Sequence, residues 1–199
     1  KTNIFRICSY NVKNFDFRGD ANKQIKNFID KINPDAFSLI EYLKDNDVYF
    51  RNQSTQFFEQ MQDYGIYSFG KEIIESERID STSRLKDCSG YSLHEERGFT
   101  YLKCKFNNTF INLITIHLDV SDNTGRTREK EIHTVVNFIV TKNLANVVVI
   151  GDFNDYPVNK NNPKYSEYLK EFKERTGLDS LPNKVHPLLE KNKFTNIYN

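Results

Sequence analysis

This sequence predicts a mixed α/β fold, a sheet system with helices on its outer faces, and three observations carry the prediction. Short apolar runs without helical period recur along the chain, and between them stand segments whose apolar residues fall at i, i+3, i+4 and i+7. A pair of β-rich runs joined by a short Asn-rich link adds a hairpin to these strand-helix-strand units. With 199 residues, 38% of them hydrophobic and 14% aromatic, the chain has the size of one domain with a sizeable core. A single domain over 1–199 is the expectation, since no repeat, low-complexity linker or composition break divides it.

The first strand is expected at Ile4 to Tyr10, ending at Asn11, and its mostly apolar make-up suits a strand covered on both faces. Ile25, Phe28, Ile29 and Ile32 then trace one face of a helix, with Asp20 as N-cap and Asn33-Pro34 as the stop. Ala36 to Ile40 forms a second strand, which ends at Glu41. Tyr49, Phe50, Phe57 and Phe58 place a further helix over 48–61, and residues 75–97 lack any period and read as a long loop. Phe99 to Phe106 and Phe110 to Ile116 make the hairpin, joined through Asn107-Asn108-Thr109, where Asn tolerates the positive φ of a tight turn. Its second strand ends at His117. Ile132, Val135, Val136, Ile139 and Val140 mark another helix face, and Asn146 to Ile150 is the most strand-like run of all, ending at Gly151-Asp152. A charged helix follows over Tyr165 to Thr176, and the tail beyond it has no firm period.

Charged residues almost cancel, leaving a net charge of +1, so any affinity for phosphate has to be local. No apolar run reaches the length of a bilayer crossing, so the chain reads as soluble with no membrane span; an intracellular site is favoured although the compartment stays open. Nothing in the sequence fixes an oligomeric state. Cys8, Cys88 and Cys104 match neither a paired metal motif nor an even disulfide set.

Four apolar runs thus stop at Asn11, Glu41, His117 and Asp152, and residues at like ends of neighbouring strands can converge on one rim of a sheet. The residue types fit phosphoester hydrolysis. A hard cation such as Mg²⁺ prefers oxygen ligands and is commonly held by one or two carboxylates, which Glu41 and Asp152 provide. Asn11 and Asn154 can orient a carboxylate or donate to a phosphate oxygen without adding negative charge, and His117 can do the same with an added positive charge when protonated. Each residue alone also has a plainer reading. Asp152, Asn154 and Asn11 are turn formers, Glu41 can cap a helix, and His117 can be a satisfied group at a sheet edge.

Taken together, the strand ends resemble a known family. Cys8-Ser9-Tyr10-Asn11-Val12, Phe37-Ser38-Leu39-Ile40-Glu41, the Thr-x-His-Leu run Ile114 to Asp119, and Gly151-Asp152-Phe153-Asn154 resemble, in order, four motifs of the endonuclease/exonuclease/phosphatase superfamily, which has the deoxyribonuclease I-like fold. Glu96-Arg97-Gly98 is a looser match to an Arg-Gly that opens the family's central hairpin. The resemblance implies a two-sheet β-sandwich flanked by outer helices and a bound Mg²⁺ or Mn²⁺. It places the metal at Glu41, Asp152 and Asn11, and catalytic roles at Asp152, Asn154, His117 and Asn11. Arg97 and Asp119 are added as candidate phosphate contacts.

The family's closing pieces, an Asp-bearing strand and a final Ser-Asp-His, have no match after Asn154, and His186 stands in the wrong context for that His. The expectation is therefore an incomplete C-terminal part. Three functions follow in order: a metal-dependent nuclease acting on DNA or RNA, a phosphoesterase acting on a phospholipid or inositol phosphate headgroup, and a catalytically incomplete binding module.

Overall fold

The computed structural model describes residues 4–12, 21–43, 56–58, 64–79, 98–120, 122–156, 161 and 163–197. They group into two compact units, one holding the strands and the first helix, the other holding the remaining helices.

In the first unit, β1 (Ile7–Asn11), β2 (Ala36–Leu43), β4 (Tyr64–Gly70) and β3 (Gln56–Phe58) form one sheet in the order β1-β2-β4-β3. A second sheet runs β5-β6-β7-β8 from Ile73–Ile79, Phe99–Phe106, Thr109–His117 and Val147–Asp152. Each sheet is mixed. β1 pairs parallel with β2 and β7 parallel with β8, while every other pairing is antiparallel. A parallel pair needs a crossover, and the chain supplies a helix between its two strands in both cases. The expected two-sheet architecture is what the chain builds.

β2 shows why its sequence folds as it does. Phe37 and Leu39 pack with Val12, Tyr67 and Ile29, whereas Ala36 packs with Leu102, Cys104 and Leu113 of the other sheet. Alternate residues thus enter two different cores, which is why the run is apolar throughout and not amphipathic. Ile29 belongs to α1 (Ala21–Ile32), which covers the outer face of the first sheet with Ile25 beside it. Phe37 also meets Phe69 in a tilted ring pair with centroids 5.0 Å apart, and burying a side chain of that size contributes roughly 2–3 kcal/mol. α1 stops where expected: Asn33 takes a left-handed φ of 47° and its N–H bonds the Ile29 carbonyl at 2.8 Å, with Pro34 behind it. Phe28, placed on the apolar face by its spacing, is instead half exposed.

The β6–β7 hairpin forms as read, with Phe106 opposite Thr109 and Asn107 at φ 54°. Two of the expected elements need correction. The described part of 48–61, Gln56–Phe58, is strand and not helix. The expected loop over 75–97 begins inside β5, which pairs antiparallel with β6 from Glu75 opposite Lys103 to Ile79 opposite Phe99. β4 had no counterpart in the sequence reading. The proposed cap Asp20 falls outside the described residues.

The second unit contains α2 (Arg126–Thr141), α3 (Tyr165–Thr176) and α4 (Val185–Lys191). α2 buries Ile132, Val135, Val136 and Ile139 as predicted, but Val140 turns outward. α3 has the bounds expected of it and ends at Gly177, which takes the left-handed conformation of a helix C-cap. α4 was missed, because only Val185 and Leu189, one turn apart, mark its buried side.

Candidate active site

Asn11 is the last residue of β1 and pairs in register with Ile40 of β2. The next residue, Glu41, does not end β2 as its sequence suggested. The strand continues to Leu43 past a register shift between Ile40 and Tyr42, and Glu41 sits in that bulge at φ 58°. A bulge re-aims one side chain out of the pleat, and a left-handed φ on Glu stores strain of about 1–3 kcal/mol. In the other sheet His117 and Asp152 close the parallel β7–β8 ladder as its last pair. Gly151 makes that pairing possible: at φ 130° it lies so close to β7 that a Cβ would stand 1.9 Å from the Ile116 carbonyl oxygen.

These four side chains converge. The Asn11 side-chain amide nitrogen donates to Glu41 Oε1 at 3.0 Å and to Asp152 Oδ2 at 3.0 Å. Two carboxylate oxygens at that distance from a single nitrogen stand no farther apart than those two legs end to end. His117 Nε2 lies 3.7 Å from Glu41 Oε1 with its side chain 10% exposed, and the Glu41 side chain is 23% exposed. Residues 141 positions apart in the chain thus meet at a part-buried cluster. Each sheet contributes one carboxylate and one nitrogen-bearing side chain.

The donor set suits a hard divalent cation. Two carboxylates offer oxygen ligands, and a neutral amide donor lies between them in place of a third anion; Mg²⁺ characteristically takes one or two carboxylates and keeps several waters. Among the described residues no group of three or more His, Cys, Asp and Glu side chains gathers as an all-protein cage.

In the second unit, Asn154 has φ 46° and donates its side-chain amide to the Leu118 carbonyl at 2.8 Å. Asp119 is buried and structural in its contacts: its carboxylate accepts the Asp122 N–H at 2.7 Å and its own N–H bonds Glu131 at 2.8 Å. Arg97 lies outside the described residues. His186 stacks on Phe153 with ring centroids 5.9 Å apart, in α4.

Two polar features escaped the sequence reading. Asp122 accepts the N–H of Thr127 at 2.7 Å and that of Thr124 at 2.7 Å, so it caps the start of α2 from outside. Burial works to raise its carboxyl, but these bonds and one from the Thr124 hydroxyl outweigh it and hold the pKa down at about 2. The Asp-x-Thr-Gly-x-Thr pattern before α2 is the signal that could have found it. Arg128 and Asp155 form a buried ion pair, Nε to Oδ1 3.7 Å, too long for a hydrogen bond. Arg128 Nη1 also donates to the carbonyls of Asp119 and Asp122 at 3.1 and 3.0 Å, and Asp155 accepts the Val185 N–H at 3.1 Å. Burial pushes the Asp155 carboxyl up, against the opposing pull of the Val185 amide and Arg128.

Two mixed sheets with helices and parallel pairs joined through helical crossovers define a class of fold: the chain has the deoxyribonuclease I-like fold. Solved structures of like fold include TDP2 from D. rerio complexed with a single-strand DNA product, at 22% identity and TM-score 0.61, covering 77% of this chain and 62% of that one. A β-hairpin deletion mutant of beta toxin from Staphylococcus aureus matches at 17% identity and TM-score 0.61, covering 86% and 74%. In sequence, the chain is 34% identical over 97 residues to sphingomyelinase C of Bacillus cereus, 44% of this chain and 29% of that protein. The match thus spans less than a third of the curated relative's length. No family model matches the chain.

Proposed function

We propose that this protein is a divalent-metal-dependent phosphodiesterase whose centre is built from Glu41, Asp152, Asn11 and His117. The observation that supports the reading most is the single Asn11 amide shared by Glu41 and Asp152, which places two carboxylates of two sheets within reach of one ion. Glu41 and Asp152 would hold Mg²⁺ or Mn²⁺, and Asn11 would orient both. When bound, the cation would neutralise charge on the phosphoryl oxygens and favour ionisation of water. His117, beside Glu41, would donate a hydrogen bond to a non-bridging phosphate oxygen. Asp152 would also orient the attacking water.

A nucleic-acid backbone is the first substrate reading. The second, a phospholipid headgroup, is favoured by the 34% identity to sphingomyelinase C. The test is hydrolysis of supercoiled plasmid, single-stranded DNA, RNA and sphingomyelin vesicles with Mg²⁺ or Mn²⁺, against chelator. Activity on one substrate class, lost in chelator and reduced at least 100-fold in Glu41→Gln and Asp152→Asn, is expected. Activity that is indifferent to chelator and to both substitutions would refute the assignment.

A further inference from the structure

Beneath the carboxylates, the interior between the two sheets contains a group of hydroxyls. Ser38 of β2, Ser68 of β4, Thr100 of β6 and Thr115 of β7 are all buried. Ser38 pairs in register with Ser68 in one sheet, and Thr100 with Thr115 in the other. Across the gap, Ser38 Oγ lies 2.6 Å from Thr115 Oγ1 and Ser68 Oγ lies 2.8 Å from Thr100 Oγ1; Ser38 and Ser68 are 3.2 Å apart. Four side chains from four strands thus join the sheets by direct hydrogen bonds.

This is an unusual way to pack sheets. Stacked sheets lie about 10 Å apart, with large apolar side chains between them. A seryl or threonyl oxygen reaches only one atom beyond Cβ, so two can bond across the gap only where the sheets pinch together. Stability alone does not demand such a cluster, since exchanging both partners of a buried hydrogen bond for apolar groups of the same shape can be nearly neutral. Hydrogen bonds add direction and a fixed length, which apolar packing lacks.

The position of the cluster gives that fixed length a use. Thr115 is two residues before His117 on β7, and Ser9–Ser38 is two register pairs below Asn11–Ile40, so the hydroxyls lie about 7 Å below the rim. Both site contacts that cross from sheet to sheet, Asn11 to Asp152 and Glu41 to His117, also depend on close approach. We propose that Ser38, Ser68, Thr100 and Thr115 are positioning residues that set the separation of the sheets under the site and so hold Asn11 and Glu41 against Asp152 and His117. The inference rests on the cation-binding reading of that site, and its test separates the two.

Mn²⁺ affinity is measured without substrate, by electron paramagnetic resonance of the free ion, on the 199-residue chain and its variants. Thr115→Val is expected to weaken Mn²⁺ binding about tenfold, the scale seen when groups supporting metal ligands are removed. Thr115→Ser, which keeps the hydroxyl, is expected to restore it. Leu113→Val, in the same inter-sheet core, is expected to lower the melting temperature and leave the affinity unchanged. The ¹H–¹⁵N signal of the Asn11 side-chain amide gives a metal-free readout, expected to move in Thr115→Val and return in Thr115→Ser. Ser68→Ala takes the place of Thr115→Val if the latter does not fold. Unchanged Mn²⁺ affinity and an unmoved Asn11 signal in folded Thr115→Val, with binding abolished in Glu41→Gln, would overturn the inference alone. Absence of Mn²⁺ binding in the unsubstituted chain would overturn the cation reading, and the Asn11 signal would then decide the positioning role by itself.

Discussion

Replacing Gly151 by Ala should damage stability and site together, by an amount that can be worked out from one close approach. A Cβ at residue 151 would lie 1.9 Å from the Ile116 carbonyl oxygen and 2.9 Å from both the Ile116 carbonyl carbon and nitrogen. Real Cβ contacts essentially never fall below 3.0 Å, so β8 would have to retreat from β7 by more than an ångström. Because the obstacle is backbone, no rotamer change relieves it. The retreat weakens neighbouring ladder bonds at about 1 kcal/mol each, and an alanine at φ 130° adds strain of about 1–3 kcal/mol. A loss of about 3 kcal/mol follows, or roughly 6–12 °C in Tm for a domain of this size. The next pair in the ladder is His117–Asp152, and a displacement of about 1 Å at a reacting centre can cost on the order of 100-fold in kcat. Urea unfolding and steady-state kinetics measure both. Gly177→Ala is the control: it has a positive φ of 74° but nothing within 4 Å, so only the backbone cost of about 1 kcal/mol applies. If Gly151→Ala loses no more than Gly177→Ala, the steric argument is wrong.

Four further outcomes follow from the same structure. Arg128→Met should cost about 3–5 kcal/mol because it strands the buried Asp155 carboxylate, whereas Arg128→Met/Asp155→Leu should cost less, since Arg128 Nε and Asp155 Oδ1 already lack hydrogen-bond partners; a double-mutant cycle in urea reads the difference. Asp122→Ala should cost about 1 kcal/mol near neutrality, as for other lost helix caps, and nothing in strong acid. With its folded pKa at about 2, below the ordinary 3.8, Asp122 contributes stability above 3.8 that is lost as pH falls through about 2. Asp155 has the opposite sign: its raised pKa makes its contribution greatest below 3.8 and removes it as pH rises through the folded value, so Asp155→Asn should lose stability more steeply than the parent chain on acidification. Glu41→Asn should abolish metal-dependent activity yet raise stability by about 1 kcal/mol, because Asn accepts a φ of 58° more readily and one of two neighbouring carboxylates is gone; a Tm below that of the parent chain would contradict this.

The parts of the fold legible in the sequence are those in which the pattern and the local chemistry agree. β1 and β2 were legible as apolar runs and α3 as a charged helical stretch, while the β6–β7 hairpin and the end of α1 also had a residue whose backbone preference fits, as Asn107 and Asn33 do with their positive φ. β4 escaped because Gly, Ser and Tyr dilute its apolar character, although Ile66, Tyr67 and Ser68 are buried. Gln56–Phe58 misled because two aromatics in a short strand carry no period. The site was legible as a set of strand ends, but not its geometry. Nothing in Phe37 to Glu41 signals that the chain bulges at Glu41 and continues, and no one-dimensional pattern shows Ser38 facing Thr115 across the gap.

That bulge bears on why the site is where it is. A Glu kept in regular pleat after Ile40 would point to the face opposite Ile40, since side chains alternate; the left-handed turn at Glu41 breaks the alternation, and its carboxylate meets Asn11, the register partner of Ile40. Strain at Glu41, the backbone crowding at Gly151 and the proximity of two carboxylates all oppose folding, and all three fall at or within one residue of the last pairs of the two parallel ladders. A chain selected only for stability would have no use for such a cluster. A bound cation would relieve the one electrostatic member of the three, which is why divalent metal should raise the melting temperature of the parent chain more than that of Glu41→Asn.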